Sequence, residues 1–280
     1  MKTKLFIFSL SLVFFIACSK TSEIEREINF NNNWKFVRAD VQNAKLPEFD
    51  DSNWRTIDVP HDYSIEDLPE KEGVKQIGPF SEESAGGKST GHVVGGTGWY
   101  RKHFTLDKND DGKIVKVLFD GVYMNADFWI NGHHLGNHPY GYTAFALDLT
   151  DYLNPNGEEN VLAVEVKNAG KNSRWYSGSG IYRNVKLLKT QPVHFALWGN
   201  YITTPNVSKE NALVNIASKI LNESPEKVEI TVKVEVLDSA GTVVQTSESV
   251  SKEIAAVEVE VTQQIEIANP QLWSVDSPHL

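Results

Sequence analysis

Residues 172–183, Asn-Ser-Arg-Trp-Tyr-Ser-Gly-Ser-Gly-Ile-Tyr-Arg, gather the groups best suited to recognising a ligand. Trp175 and Tyr176 offer flat aromatic faces, and Arg174 offers a planar fork of donors beside them. Gly178 and Gly180 allow positive φ and close approach of backbone. The combination suits a sugar, whose C–H side stacks on an aromatic ring while its hydroxyls meet the donors. The same residues also read as plain structure: core aromatics, a tight glycine turn and Arg183 paired with a carboxylate.

Other reactive side chains carry less. Glu82 with Glu83 and Asp50 with Asp51 are carboxylate pairs, but sequence neighbours ordinarily share a solvated loop. His133, His134 and His138 lie close together, yet no cysteine completes a ligand set and a turn explains the segment without metal. His61 and Asp62 lack an accompanying nucleophile elbow, so they read as a hydrogen bond at a strand end. There is no phosphate-binding loop or dinucleotide fingerprint, and no cofactor is expected. No catalytic residue and no metal ligand are assigned.

These residues must be positioned by β structure. Short apolar alternations bounded by Gly, Asn, Asp and Pro recur, and helical periodicity is scarce, which makes the chain all-β. Residues 114–119 read as a strand closed by the turn Asp120-Gly121. Residues 128–135 read as a hairpin on Asn131-Gly132, the chemistry of a type I′ turn. Residues 161–166 are expected to alternate with one face buried. From 62 to 98 the pattern lapses into a glycine-rich segment, a connection long enough to be either functional or a surface insertion. After Thr190-Gln191-Pro192 a second β pattern begins. Residues 228–237 alternate as one strand, 242–247 return, and Val257, Val259 and Val261 alternate with glutamates.

The 280-residue chain has 27 Lys+Arg against 37 Asp+Glu, a net charge of −10. That balance argues against a nucleic-acid partner, since no basic stripe could displace counterions from phosphates. It is compatible with a neutral glycan.

Several blocks occur in a telling order: Asn33-Trp34-Lys35-Phe36, Val59-Pro60-His61-Asp62, Gly98-Trp99-Tyr100-Arg101-Lys102-His103-Phe104, Phe119-Asp120-Gly121-Val122, Asn131-Gly132 with Leu135-Gly136, and Trp175 through Arg183. The chain resembles the N-terminal region of glycoside hydrolase family 2, the β-galactosidase and β-glucuronidase family. The resemblance implies a galactose-binding-like jelly roll over residues 28–190, then an immunoglobulin-like sandwich over 191–280 that lacks its last strand. It also implies a catalytic (β/α)8 barrel beyond the last residue, bearing both catalytic glutamates. Without that barrel the chain is expected to hydrolyse nothing by itself. Its expected part is to contribute sugar-contacting loops, with Arg174, Trp175 and Tyr176 at the rim of a pocket for a terminal β-linked sugar. Arg174 stands where many members have aspartate, and a guanidinium cannot accept a hydrogen bond as a carboxylate does. The alternatives are a freestanding carbohydrate-binding surface lipoprotein and a purely structural cell-surface sandwich.

At the N-terminus, Lys2 and Lys4 precede an apolar run over residues 5–17 that stops at Cys18, the sole cysteine. Phe15-Ile16-Ala17-Cys18 resembles a bacterial lipobox. Residues 1–18 therefore read as a lipoprotein signal peptide and 19–27 as a tether. The expected location is the periplasm or outer membrane, with membrane contact only through a lipid on Cys18. The other reading is a cleaved secretory signal with an incidental cysteine.

Overall fold

The computed structural model describes residues 26–171, 177–248, 250–255 and 257–278. In chain order its strands are β1 (Glu27–Asn29), β2 (Trp34–Val37), β3 (Arg55–Ile57), β4 (Gln76–Ile77), β5 (Phe80–Ser81), β6 (Gly96–Thr105), β7 (Ile114–Phe119), β8 (Ala126–Ile130), β9 (His133–His138) and β10 (Phe145–Asp148). There follow β11 (Glu159–Asn168), β12 (Val185–Thr190), β13 (Val193–Val207), β14 (Asn211–Asn222), β15 (Val228–Val232), β16 (Glu235–Leu237), β17 (Val243–Thr246), β18 (Val250–Ile254) and β19 (Glu258–Ala268).

A six-stranded antiparallel sheet, β3-β2-β6-β11-β8-β9, faces a four-stranded one, β1-β12-β7-β10. The apolar side of each strand supplies the core between them. Trp34, Phe36, Tyr100, Phe128 and Leu162 come from the larger sheet and meet Val115, Val117, Phe119 and Val185 from the smaller. This is the jelly-roll sandwich. The β8–β9 hairpin turns on Asn131 (φ 48°) and Gly132 (φ 83°), both left-handed as a type I′ turn requires.

Strand β11 departs from the expected alternation, because it is buried on both faces. Leu162, Val164 and Val166 enter the main core. On the other face, Ala163 packs with Ala44, Trp99 and Trp129 under a cover that includes Val41 and Trp54. The segment between β2 and β3 closes over the outer face of the sheet, so a central strand has no solvated side.

That cover is fastened by Arg101, which is fully buried. Its Nε donates to Asp51 Oδ2 at 2.6 Å, Nη1 donates to Ala44 O at 2.5 Å and Leu46 O at 2.8 Å, and Nη2 donates to Pro47 O and Phe49 O at 3.3 Å each. Asp51 also meets His103 Nε2 at 2.8 Å. The Asp50–Asp51 pair is therefore not a shared solvated loop: Asp50 is exposed, while Asp51 is an internal anchor.

The second unit is the immunoglobulin-like sandwich. Its three-stranded sheet, β13-β14-β19, lies over the ribbons β15-β18 and β16-β17, around Ile220, Val232, Ile254 and Val261. Residues 228–237 do not form the single strand expected. They break at Lys233 and Val234, where Val234 N donates to Ser247 Oγ at 3.0 Å and Gln263 Nε2 donates to the same Oγ at 2.7 Å. A polar side chain from the facing sheet thus occupies the ladder where pairing would continue. Among the described residues β15 and β16 are each paired along one edge only. Glu223 joins the two units, accepting from Lys116 of β7 at 3.2 Å and lying 3.5 Å from His194 of β13.

Candidate functional site

The residues named first by the sequence, Arg174, Trp175 and Tyr176, lie outside the described residues, as do Asn172, Ser173 and Cys18. What the structure describes is the frame on either side of them. On the approach, β11 ends at Asn168. On the return, residues 177–181 are clamped between two other segments.

The clamp is mostly backbone. His61 N donates to Ile181 O at 2.8 Å and Tyr63 N to Ser179 O at 2.9 Å. On the opposite side Gly180 and Tyr123 exchange both backbone bonds, at 2.8 and 2.9 Å. Side chains then lock the register. Asp62 Oδ1 accepts from Ser64 N at 2.9 Å and from Ser179 N at 2.8 Å. Ser64 Oγ donates to Ser179 Oγ at 2.5 Å, and Asn168 Nδ2 donates to the same oxygen at 2.7 Å and to Gly178 O at 3.2 Å. Ser64 and Ser179 are fully buried and Asn168 nearly so, which makes each of these bonds expensive to leave unmade.

The two glycines serve this packing in different ways. Gly180 has φ 127°, and a Cβ there would stand 2.2 Å from Tyr100 Oη and 2.6 Å from His61 O. Gly178 does not take a positive φ. It is required by proximity, since a Cβ would stand 2.4 Å from Asp62 Oδ2.

Beneath the clamp, His61 Nδ1 meets Tyr100 Oη at 2.8 Å and its Nε2 meets Glu66 Oε1 at 3.0 Å. Burial pushes the Tyr100 phenol well above its ordinary pKa, so it stays a neutral hydrogen-bonding group. Asp62 caps the short 3-10 turn Tyr63–Ile65 through its carboxylate, so it supports the clamp from the start of that turn. The segment from 62 to 95 is organised. It contains the β4–β5 hairpin and a second 3-10 turn, Gly87–Thr90. Arg38 draws its ends together, with Nη1 donating to Tyr63 O at 3.1 Å and Nη2 to Val94 O at 2.6 Å and Gly95 O at 3.1 Å.

Between this segment and the end of β11 lies a cleft of about 270 Å³, bordered by Ser84, Thr90, Gly95, Asn168, Gly170 and Ser177. It opens beside the residues on either flank of 172–176. The three clustered histidines are dispersed in space: His133 stacks on Tyr152, His134 bonds Asp127 at 2.9 Å, and His138 stacks on Phe145. Glu83 pairs with Lys71 at 2.7 Å, away from Glu82, which accepts from Lys75 N. Sequence reasoning missed Asp62, Ser64, Asn168 and Ser179 as a set.

Residues 28–192 match the family model for the sugar binding domain of glycosyl hydrolases family 2, and residues 193–280 match a second model of the same family. The chain belongs to glycosyl hydrolase family 2. A family 2 relative, the beta-galactosidase BoGH2A of Bacteroides ovatus, is 45% identical over 267 residues, which cover 94% of this chain and 30% of that protein. A beta-glucuronidase of Formosa agariphila is 33% identical over 287 residues, covering 93% of this chain and 28% of its own length. Among solved structures, a family 2 member from Bacteroides cellulosilyticus superposes with a TM-score of 0.82 at 42% identity, covering 91% of this chain and 32% of that one. The chain spans about a third or less of these family 2 proteins, and the part it matches is their N-terminal region.

Proposed function

We propose that this chain is the non-catalytic N-terminal part of a β-galactosidase-like glycoside hydrolase, in which it holds the loop 172–176 at the rim of a pocket completed by a catalytic barrel. The observation that carries the reading is the 45% identity to a beta-galactosidase across both units of the chain. The clamp at 177–181 gives it a physical basis, because a loop that touches substrate must be held to within a fraction of an ångström. In this reading Arg174 donates to sugar oxygens, and Trp175 and Tyr176 stack on the ring. None of the chain's own carboxylates acts as acid or nucleophile.

The test is hydrolysis of aryl β-D-galactoside and aryl β-D-glucuronide by a longer form that carries the barrel. The galactoside is the expected substrate, and Arg174→Ala is expected to lower its kcat/KM by roughly 10- to 100-fold. No galactoside turnover, or full turnover with Arg174→Ala, would overturn the proposal.

The proposed setting is the cell envelope, with lipid on Cys18. Cells fed radiolabelled palmitate should label the wild-type protein and not Cys18→Ser. Equal labelling of both would remove the anchor from the account.

A further inference from the structure

Arg26, the first described residue, is tied to the start of the second unit. Its Nη2 donates to Phe195 O at 2.8 Å, and its own carbonyl accepts from Lys189 N at 2.9 Å. Cys18, the residue proposed above to carry lipid, stands eight positions earlier, and eight residues span at most about 29 Å. A lipid on Cys18 therefore keeps the Phe195 end of β13 close to a bilayer surface.

Strand β13 is the outer strand of its sheet, paired only with β14 among the described residues. Its open edge is rich in exposed apolar groups: Trp198 is 67% exposed and Tyr201 71%, with Phe195 and Ile202 also exposed. Tyr201 stands opposite Ala217 and Ile202 opposite Ile216, so successive side chains bracket the edge from both faces of the sheet. No Asp, Glu, Lys or Arg occurs from Thr190 to Ser208. Covering this edge would desolvate no charge on the strand itself.

Trp198 is held outward under strain. Its φ is 54°, a region that bulky side chains rarely enter, and it lies in the irregularity between Phe195 and Asn200 where pairing with β14 is interrupted. Gly199 lets the bend close, since a Cβ there would stand 2.8 Å from Ala196 Cβ and 2.9 Å from Ala196 O. Strain of this kind persists where a use for it outweighs relaxation. The same irregularity, with Pro205 further along, opposes addition of another strand to this edge. What the edge offers is side chains, not backbone.

An uncharged edge bearing an indole, a phenol and a branched alkyl chain has the chemistry of the membrane–water interface, where Trp and Tyr set their rings among headgroups with their polar tips in water. We propose that Phe195, Trp198, Tyr201 and Ile202 form a surface that docks on the bilayer to which Cys18 is anchored. The lipid limits distance, and the edge fixes which side of the chain faces the membrane. Tethering raises the local concentration of bilayer, so a small patch that binds weakly by itself stays engaged. The proposal rests on the envelope setting proposed above.

A second exposed indole provides an internal control. Trp273 follows the end of β19, where Asn269 N donates to Glu210 O, at the end of the sheet opposite Phe195.

The experiment is tryptophan fluorescence of the chain acylated on Cys18, in phosphatidylcholine vesicles with and without bromine on the acyl chains near the headgroups. Bromine is expected to quench the wild type. Trp198→Phe should lose most of that quenching, and Trp273→Phe should keep it. Tyr201→Ser/Ile202→Ser leaves the indole in place and should reduce the quenching by about half or more, because the apolar area that holds the edge down is gone. Sedimentation with the vesicles reads the anchor separately and should be the same for wild type and every variant. A wild type that sediments unquenched, or quenching that survives in Trp198→Phe, would overturn docking while the anchor stands. Failure to sediment would remove the anchor and docking together. A longer, barrel-bearing form is held to the same measurement, and a Trp198 sheltered from bromine there would overturn the proposal by assigning the edge to a contact inside that protein.

Discussion

Arg101→Met is expected to destabilise the jelly roll by about 3–5 kcal/mol, the range for removing one partner of a buried ion pair. The side chain is fully buried, and all of its N–H groups that contact the cover are committed, one to Asp51 and the others to four backbone carbonyls. Methionine fills similar space but leaves a buried carboxylate without its cation and the carbonyls without a donor. Arg101→Lys keeps the charge yet cannot fork towards five acceptors, so it should fall between the two. Urea unfolding followed by tryptophan fluorescence measures the loss, because Trp99 and Trp54 lie under and in the cover that Arg101 fastens. A midpoint within error of wild type would show that the cover is held by its apolar contacts alone.

The same anchor has an acid signature. Burial acts to raise the Asp51 carboxyl, but the bonds from His103 and Arg101 outweigh it and hold its pKa below the ordinary carboxylate value. A folded-state pKa below the unfolded one contributes stability that is complete above the unfolded value, about 4, and is lost as pH falls through the lower folded value. Glu66 and Asp110 are displaced in the same direction by their own partners, His61 with Arg55 and Lys189 with Lys113. The stability gap between wild type and Asp51→Asn should therefore be widest at neutral pH and narrow in acid. Double substitution at 51 and 101 should cost less than the sum of the single changes, since each removes the same interaction.

How far the sequence reaches can be seen in particular elements. The Asn131-Gly132 hairpin was legible because a type I′ turn needs two left-handed residues and only a few residue types supply them. The ordered blocks around Trp34, Trp99 and Arg183 carried the family, and with it both sandwiches. Strand β11 was misread because alternation reports one covered face, and nothing local to residues 161–166 says that residues near Ala44 and Trp54 will cover the other. The break at Val234 depends on Gln263, a residue 29 positions away, and so leaves no periodic trace. Within the site, Gly180 was legible as a special backbone position. Asp62 was not, because its partner Ser179 lies 117 residues away and both are ordinary polar residues in sequence.

That long-range pair sets the largest expected effect on activity. Asp62→Ala removes the acceptor shared by Ser64 N and Ser179 N in a site where both serines are fully buried. Leaving such donors unpaired costs about 1–3 kcal/mol locally, a loss the jelly roll can absorb while residues 177–181 shift. A displacement of about 1 Å at a substrate-positioning loop can lower turnover by roughly 100-fold, so a longer, barrel-bearing form should lose kcat/KM on that scale while remaining folded. Gly178→Ala should act through the same contact from the other side, because its Cβ would be driven to 2.4 Å from Asp62 Oδ2. Asp62→Asn retains an oxygen acceptor and should recover most of the activity. If Asp62→Ala kept full kcat/KM, or if Asp62→Asn were as impaired as alanine, the carboxylate would not be what fixes residues 177–181 in their working register.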